Sequence, residues 1–209
     1  EEIDCGGECM SCEIRRLRPI LARPVTLFRV GERTTALLEF QNPNATYGAS
    51  EFRYTLTLLG SEGETIHSLE RTSFIYPTEI KYMFDAEVGD APAFAVAEVM
   101  IHPESVVWKS ISEFPLARTQ VRNVRVEFDP VKRQAVVTGA VSNDNPFPLR
   151  RANIVGVAMN SFGLPLAASK TLLQDIAPGE ERSFRVVIPE ILLDTLSERD
   201  VKLFVEAGR

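Results

Sequence analysis

The chain has 209 residues, 44% of them hydrophobic and 25% charged, with a formal net charge of -6. That length is comfortable for two small domains, each with its own core. The acidic balance excludes a sequence-independent nucleic-acid binder, which needs a basic face. No apolar run approaches the ~20 residues that cross a bilayer. The start, Glu1-Glu2-Ile3-Asp4, is unlike a signal peptide, so the expectation is a cytosolic or mature chain, or one whose targeting segment lies elsewhere.

The first segment, residues 1–17, is a polar arm that holds every cysteine: Cys5, Cys9 and Cys12. Clustering of this kind suggests a local staple or a metal knuckle. The favoured reading is a disulfide inside the arm, with Gly6-Gly7 giving the tight backbone, and a third thiol either free or paired with another chain. The alternative is a metal- or cluster-binding arm.

Beyond the arm the pattern is β throughout. Thr35–Asn42 reads as a strand ending in an Asn42-Pro43-Asn44 turn. In the next run Phe52, Tyr54, Leu56 and Leu58 alternate with Arg53, Thr55 and Thr57, the period of two expected of a strand with one buried face. Glu62-Gly63 makes a turn, and Phe94–Ile101 closes the first set. A second set begins with a looser alternation, Arg122, Val124, Val126 and Phe128. Val136–Asn143 lies at a shift of 101 from Thr35–Asn42, and Ala152–Asn160 follows Glu51–Leu59 in the same way. Ser161-Phe162-Gly163 matches Ser61-Glu62-Gly63 at a shift of 100, and Met83-Phe84 falls on Ser183-Phe184 at that same shift. Pro178-Gly179 is a further turn, and Val201–Val205 a last strand. Pro189–Arg199 is the one helix candidate, with proline at its start.

The reading is therefore all-β: two tandem immunoglobulin-like antiparallel β-sandwiches behind a short cysteine arm. The boundaries are 1–17 for the arm, 18–114 for the first sandwich and 115–209 for the second. Their net charges are -3, -5 and +2 in that order. An acidic unit beside a mildly basic one would permit head-to-tail contact, although solvated surfaces explain the same charges.

Residues 136–184 resemble the bacterial and archaeal FxLYD domain through Val141, Asn143, Val155, Val157, Gly163, Pro178, Gly179, Glu180 and Phe184. Ala158-Met159-Asn160 stands where that family has Leu-Tyr-Asp. The first unit resembles it more weakly, through Asn42, Phe52, Tyr54, Leu56, Gly63 and Phe84, and lacks the Pro-Gly-Glu turn. The resemblance implies a small immunoglobulin-like sandwich with no catalytic residues, in a cell-envelope or secreted setting. Asp4–Cys12 is similar to a DCGGxCxxC segment that lies between a membrane helix and extracellular repeats in bacterial surface proteins. That likeness implies an anchor upstream.

Catalytic chemistry finds little footing. Cys5-x3-Cys9-x2-Cys12 has the spacing of a radical S-adenosylmethionine cluster motif, but not the strand–helix context it needs. Zinc would want a fourth ligand, from Asp4, His67 or His102. Both histidines read as surface residues, and no Gly-x-Ser-x-Gly elbow is present. Glu62/Glu64 and Glu180/Glu181 are turn carboxylates, and Asp129, Asp144 and Asp175 lack a calcium-loop pattern. Trp108 reads as packing at the junction of the two units. The expectation is a non-enzymatic extracellular or envelope-anchored structural or adhesion module, with no cofactor. Its partner would be another protein or a second copy, with membrane contact only through a segment outside this chain.

Overall fold

The computed structural model describes residues 12–89, 95–190 and 198–208. After a single helical turn, α1 (Cys12–Arg15), the architecture is all-β. The N-terminal half contributes β1 (Leu21–Ala22), β2 (Thr26–Val30), β3 (Arg33–Gln41), β4 (Tyr47–Leu59), β5 (Thr65–Ile75), β6 (Ile80–Asp85), β7 (Val96–Ile101) and β8 (Val107–Ser110). The C-terminal half contributes β9 (Thr119–Asp129), β10 (Gln134–Asn143), β11 (Leu149–Met159), β12 (Pro165–Ile176), β13 (Glu181–Ile188) and β14 (Val201–Gly208).

Among the described residues every ladder is antiparallel, and no sheet mixes strands of the two halves. In the first half β3 is central: β1 and β2 follow one another along one side, and β6 takes the other. Strand β4 is likewise central, with β5 on one side and β7 then β8 on the other. In the second half β10 lies between β9 and β13, and β11 between β12 and β14. The strand order is thus the same in both halves, with β9 in the place of β1 plus β2 and β14 in the place of β7 plus β8.

The alternation in β4 decides its face. Phe52, Tyr54, Leu56 and Leu58 are all buried and meet Ala36, Leu38 and Phe40 of β3 across the first core. Phe40 packs edge-on against Phe52, with centroids 5.4 Å apart, and tilted against Tyr54 at 5.1 Å. Burying side chains of this size contributes about 1.5–3 kcal/mol each. Leu149, Ala152, Ile154, Val137, Val186 and Ile188 do the same between the two sheets of the second half.

A third apolar layer joins the halves. Leu37 and Phe84 from the first half meet Val155, Val157, Met159 and Ala168 from the second, with Phe28, Tyr82 and Phe204 packed on them. Strands β3 and β11 are therefore covered on both faces, and β11 is buried almost continuously from Ala152 to Met159. Residues 154–159, IVGVAM, carry the unbroken apolar run that two-sided burial produces.

Several sequence expectations change here. Met83 pairs with Leu38 and Phe184 with Gly139, so the true shift at this strand is 101. Phe184 and Met83 both face their own cores, whereas Phe84 faces the joining layer. A one-residue slip in a strand turns a side chain to the opposite face. In β9 a bulge opposite Gly139, with Asn123 at φ 53°, resets the alternation. Val121 and Val126 point to the core, and Val124 turns outward. Trp108 packs on the first core beside Ile101 and Val106, not at the junction. Phe74, Tyr76 and Phe114 form a second group of aromatic rings at the junction, beside Phe28, Tyr82, Phe84 and Phe204 of the joining layer. Most of the helix expected at 189–199 lies outside the described residues; its end, Glu198–Asp200, is a 3-10 turn running into β14.

Candidate functional site

Two polar constructions stand out within this apolar framework. The first occurs once in each half. Asn42 is almost wholly buried. Its Nδ2 donates to the carbonyls of Tyr47 (2.8 Å) and Tyr76 (3.0 Å), and its Oδ1 accepts from Asn44 N (3.0 Å) and Nδ2 (2.9 Å). Asn44 in turn grips the incoming chain, donating to Arg18 O (2.8 Å) and accepting from Arg18 N (2.9 Å). In the second half Asn143 donates to Phe147 O and Ile176 O, both at 2.9 Å, and accepts from Asn145 N and Nδ2 at 3.0 and 2.8 Å. Asn145 holds Arg118 at 2.8 and 2.9 Å. Each clasp saturates the four hydrogen-bonding positions of its central amide. It ties together four segments whose backbone groups the ladders leave over.

The turn beside each clasp is also shared. Glu180 Oε2 accepts from Ala177 N, and Glu79 Oε2 from Tyr76 N, both at 2.7 Å. Gly179 has φ 73° and Thr78 φ 59°. The N-terminal half therefore does make the turn that its sequence was expected to lack, with Pro77-Thr78-Glu79 in the place of Pro178-Gly179-Glu180. A β-branched residue in the left-handed region costs about 1–2 kcal/mol relative to glycine. Thr78→Gly should accordingly raise stability by about 1 kcal/mol in urea unfolding, and Gly179→Thr should lower it.

The second construction lies in the layer between the halves. Lys81 on β6 is a buried ammonium, its side chain 1% exposed. Its Nζ donates to Phe74 O at 2.6 Å, pairs with Glu206 Oε1 of β14 at 2.8 Å and sits 3.4 Å above the Phe74 ring. Glu206 Oε2 accepts from Asn153 Nδ2 at 3.1 Å, and Tyr76 Oη donates to Ala207 O at 3.0 Å. Tyr82 stacks on Phe204 at 4.0 Å, and Phe114 on Tyr76 at 4.5 Å. A cleft of about 500 Å³ opens beside this group, with Phe74, Phe114, Arg151, Lys170 and Glu206 on its walls.

Burial pushes the Lys81 ammonium below its ordinary value, against the attraction of Glu206 and Glu79. Burial pushes the Glu79 carboxyl up, against the attraction of Lys81 and the Tyr76 N–H. A carboxyl raised in the fold takes up a proton more readily folded than unfolded. Its contribution to stability is full below the unfolded value and is lost as pH rises through the folded one. Glu79→Gln, which keeps the acceptor for Tyr76 N, should therefore stabilise the protein at pH 7. The gain should shrink as pH falls through the raised value of folded Glu79 and be gone below the ordinary carboxyl value of 4.5, as read from urea midpoints across pH.

The remaining sequence candidates are dispersed. Gly163 has φ 76° in the turn between β11 and β12. Pro178 precedes the Gly179 turn, and Phe184 is core, its ring against Gly139, where a Cβ would lie only 2.8 Å from it. Cys5 and Cys9 lie outside the described residues, as does the Cys12 side chain; only the Cys12 backbone, opening α1, is described. His102 Nε2 is 2.8 Å from Thr55 Oγ1, and its Nδ1 is 3.7 Å from Glu104 Oε1. That order of hydroxyl, imidazole and carboxylate is a triad's, but Thr55 stands mid-strand between Glu70 on β5 and Met100 on β7. The backbone of Thr55 and its two strand neighbours is committed to the ladders, not aimed at a reacting group. His67 borders a small pocket with Gly89 and Arg33. Sequence reasoning missed Lys81 and Glu206 altogether; a lysine and a glutamate in strands normally read as solvent-facing.

Comparison with protein-family models and with curated proteins returns no match to this chain.

Proposed function

We propose that the chain is two copies of one immunoglobulin-like sandwich, of the FxLYD kind, and serves as a non-enzymatic structural or adhesion module. It belongs to the cell exterior or envelope and self-associates into a surface assembly, with the cysteine arm towards an anchor. The observation that carries this reading is the duplicated asparagine clasp, in which the central amide makes the same four kinds of bond in both halves. A duplicated fold device, with its polar groups spent on holding backbone together, suits a load-bearing scaffold. The Lys81–Glu206 pair works in the same sense, since it is consumed in fixing one half on the other. The cysteine arm would add a covalent contact between chains in an oxidising setting.

Light scattering of the full chain, with and without reductant, tests the assembly. The expected result is a particle larger than one chain whose mass falls on reduction. A strict monomer in both conditions overturns it.

A further inference from the structure

Side chains from three strands converge on one carboxylate in the joining layer. Glu206 of β14 stands opposite Asn153 of β11 in their ladder. Its Oε2 accepts from Asn153 Nδ2 at 3.1 Å, while its Oε1 holds Lys81 Nζ of β6 at 2.8 Å. An amine from the first half and a carboxamide from the second therefore hang on the two oxygens of a single carboxylate. Among the described residues no ladder joins the halves, so the group sits where they meet through side chains.

The surroundings favour an amine over an ammonium. Lys81 is almost wholly buried, and burial pushes it towards the neutral form against the pull of Glu206 and Glu79. A lysine desolvated in this way is a nucleophile, as an ammonium is not. Its four-carbon stem is flexible, and its other polar anchor, Phe74 O at 2.6 Å, is one hydrogen bond. Asn153 lines the cleft of about 500 Å³, and so do Arg151 and Lys170. Those two cations favour the negative charge that an attacked amide oxygen acquires. The cleft also gives a small leaving molecule a way out.

We propose that Lys81 and Asn153 form an amide bond with each other after folding, with Glu206 moving the protons, so that the two halves become covalently linked. Glu206 Oε1 takes a proton from the Lys81 ammonium. Lys81 then leaves Phe74 O, and the freed lone pair on Nζ attacks Asn153 Cγ, which requires an approach to about 3–3.5 Å. The attacking nitrogen loses a second proton and Nδ2 gains one. The Cγ–Nδ2 bond breaks with its electron pair on nitrogen. The products are a secondary amide between Nζ and Cγ and one ammonia, which departs as ammonium with the proton first held on Glu206. Nothing is oxidised or reduced, and no co-reactant enters. The ion pair is the state before reaction, and the unlinked chain is the parent against which Lys81 variants are compared. The link lies inside one chain, so it neither needs nor implies the assembly proposed above.

The test is whole-protein mass spectrometry of the folded full chain in reductant, fresh and after prolonged incubation at neutral pH, followed by digestion. The expected product is lighter by one ammonia and yields a branched peptide joining Lys81 to Asn153. Asn153→Ala, which keeps the Lys81–Glu206 pair, should abolish it while leaving a native circular dichroism spectrum. Glu206→Gln should slow it at least about a hundredfold, as loss of a positioned proton carrier does. Chain kept in urea should retain its full mass, since only the fold brings the three groups together. A folded parent that keeps its full mass overturns the proposal. So does an ammonia loss that persists in Asn153→Ala, or one mapped to Asn153 without Lys81, which is the mark of a cyclic imide closed on the backbone. A link that forms as fast in Glu206→Gln, or in urea, overturns the part given to the carboxylate or to the fold. None of these results bears on the assembly, which is read from particle mass.

Discussion

Lys81→Met should cost the protein about 3–5 kcal/mol, because removal of one member of a buried ion pair strands the other. The methionine would fill the space but leave Phe74 O without its donor and Glu206, 14% exposed, facing it without a counter-charge. The cost should appear as a lowered urea midpoint. It should also appear as faster hydrogen exchange in β6 and β14, since these strands carry the contact across the layer. Glu206→Gln keeps an acceptor for Asn153 Nδ2. The double variant, Lys81→Met with Glu206→Gln, should therefore recover most of the loss, as is found when both charges of a buried pair are removed together. If the single variant is as stable as the parent, Lys81 does not hold the two halves together.

Asn143→Ala should be comparably damaging, at about 3 kcal/mol or more. It leaves two buried carbonyls, Phe147 O and Ile176 O, without their donor, and removes the acceptor from Asn145 N. Each stranded buried group costs about 1–3 kcal/mol. Asn143→Asp should be no better, since a buried carboxylate would face the two carbonyl oxygens. Asn42→Ala should lose a similar amount, with one difference. The Asn42 clasp holds Tyr76 O, and the Tyr76 hydroxyl reaches Ala207 across the joining layer. Asn42→Ala and Lys81→Met should therefore combine non-additively, while Asn143→Ala and Lys81→Met should add. Thermal and urea unfolding of the single and double variants measure both.

The all-β character and most strand positions were legible because period-two alternation and turn residues are local signals. Phe52 to Leu58 announced the buried face of β4, and Asn42 and Asn143 announced the ends of β3 and β10. The layer between the halves was not legible, because it depends on which outer sheet faces meet. Only the unbroken apolar run in β11 hinted at two-sided burial, and nothing local distinguishes Lys81 from a solvated strand lysine. The slip at Phe84 has an identifiable origin. The loop after the clasp is one residue shorter in the second half, so the shift changes from 101 at Asn42 to 100 at Tyr47, and it returns to 101 at Thr78. Thr78 hid its turn for a different reason: glycine is the local signal of a left-handed residue, and here neighbouring bonds, Thr78 N to Asn44 O among them, hold a threonine in that region.

The Asn42 clasp also fixes how the molecule sits in any longer chain. It grips Arg18, where the strands begin, and through Tyr76 it touches Ala207, next to the end of β14. Entry and exit are therefore neighbours at the pole opposite the hairpin turns. A polypeptide passing through gains breadth there but almost no reach, as a bead tied beside a string adds no length to it. Tension applied at both ends would bear on that clasp and on the bonds between β14 and β11, while the far pole with Phe162 stays unloaded.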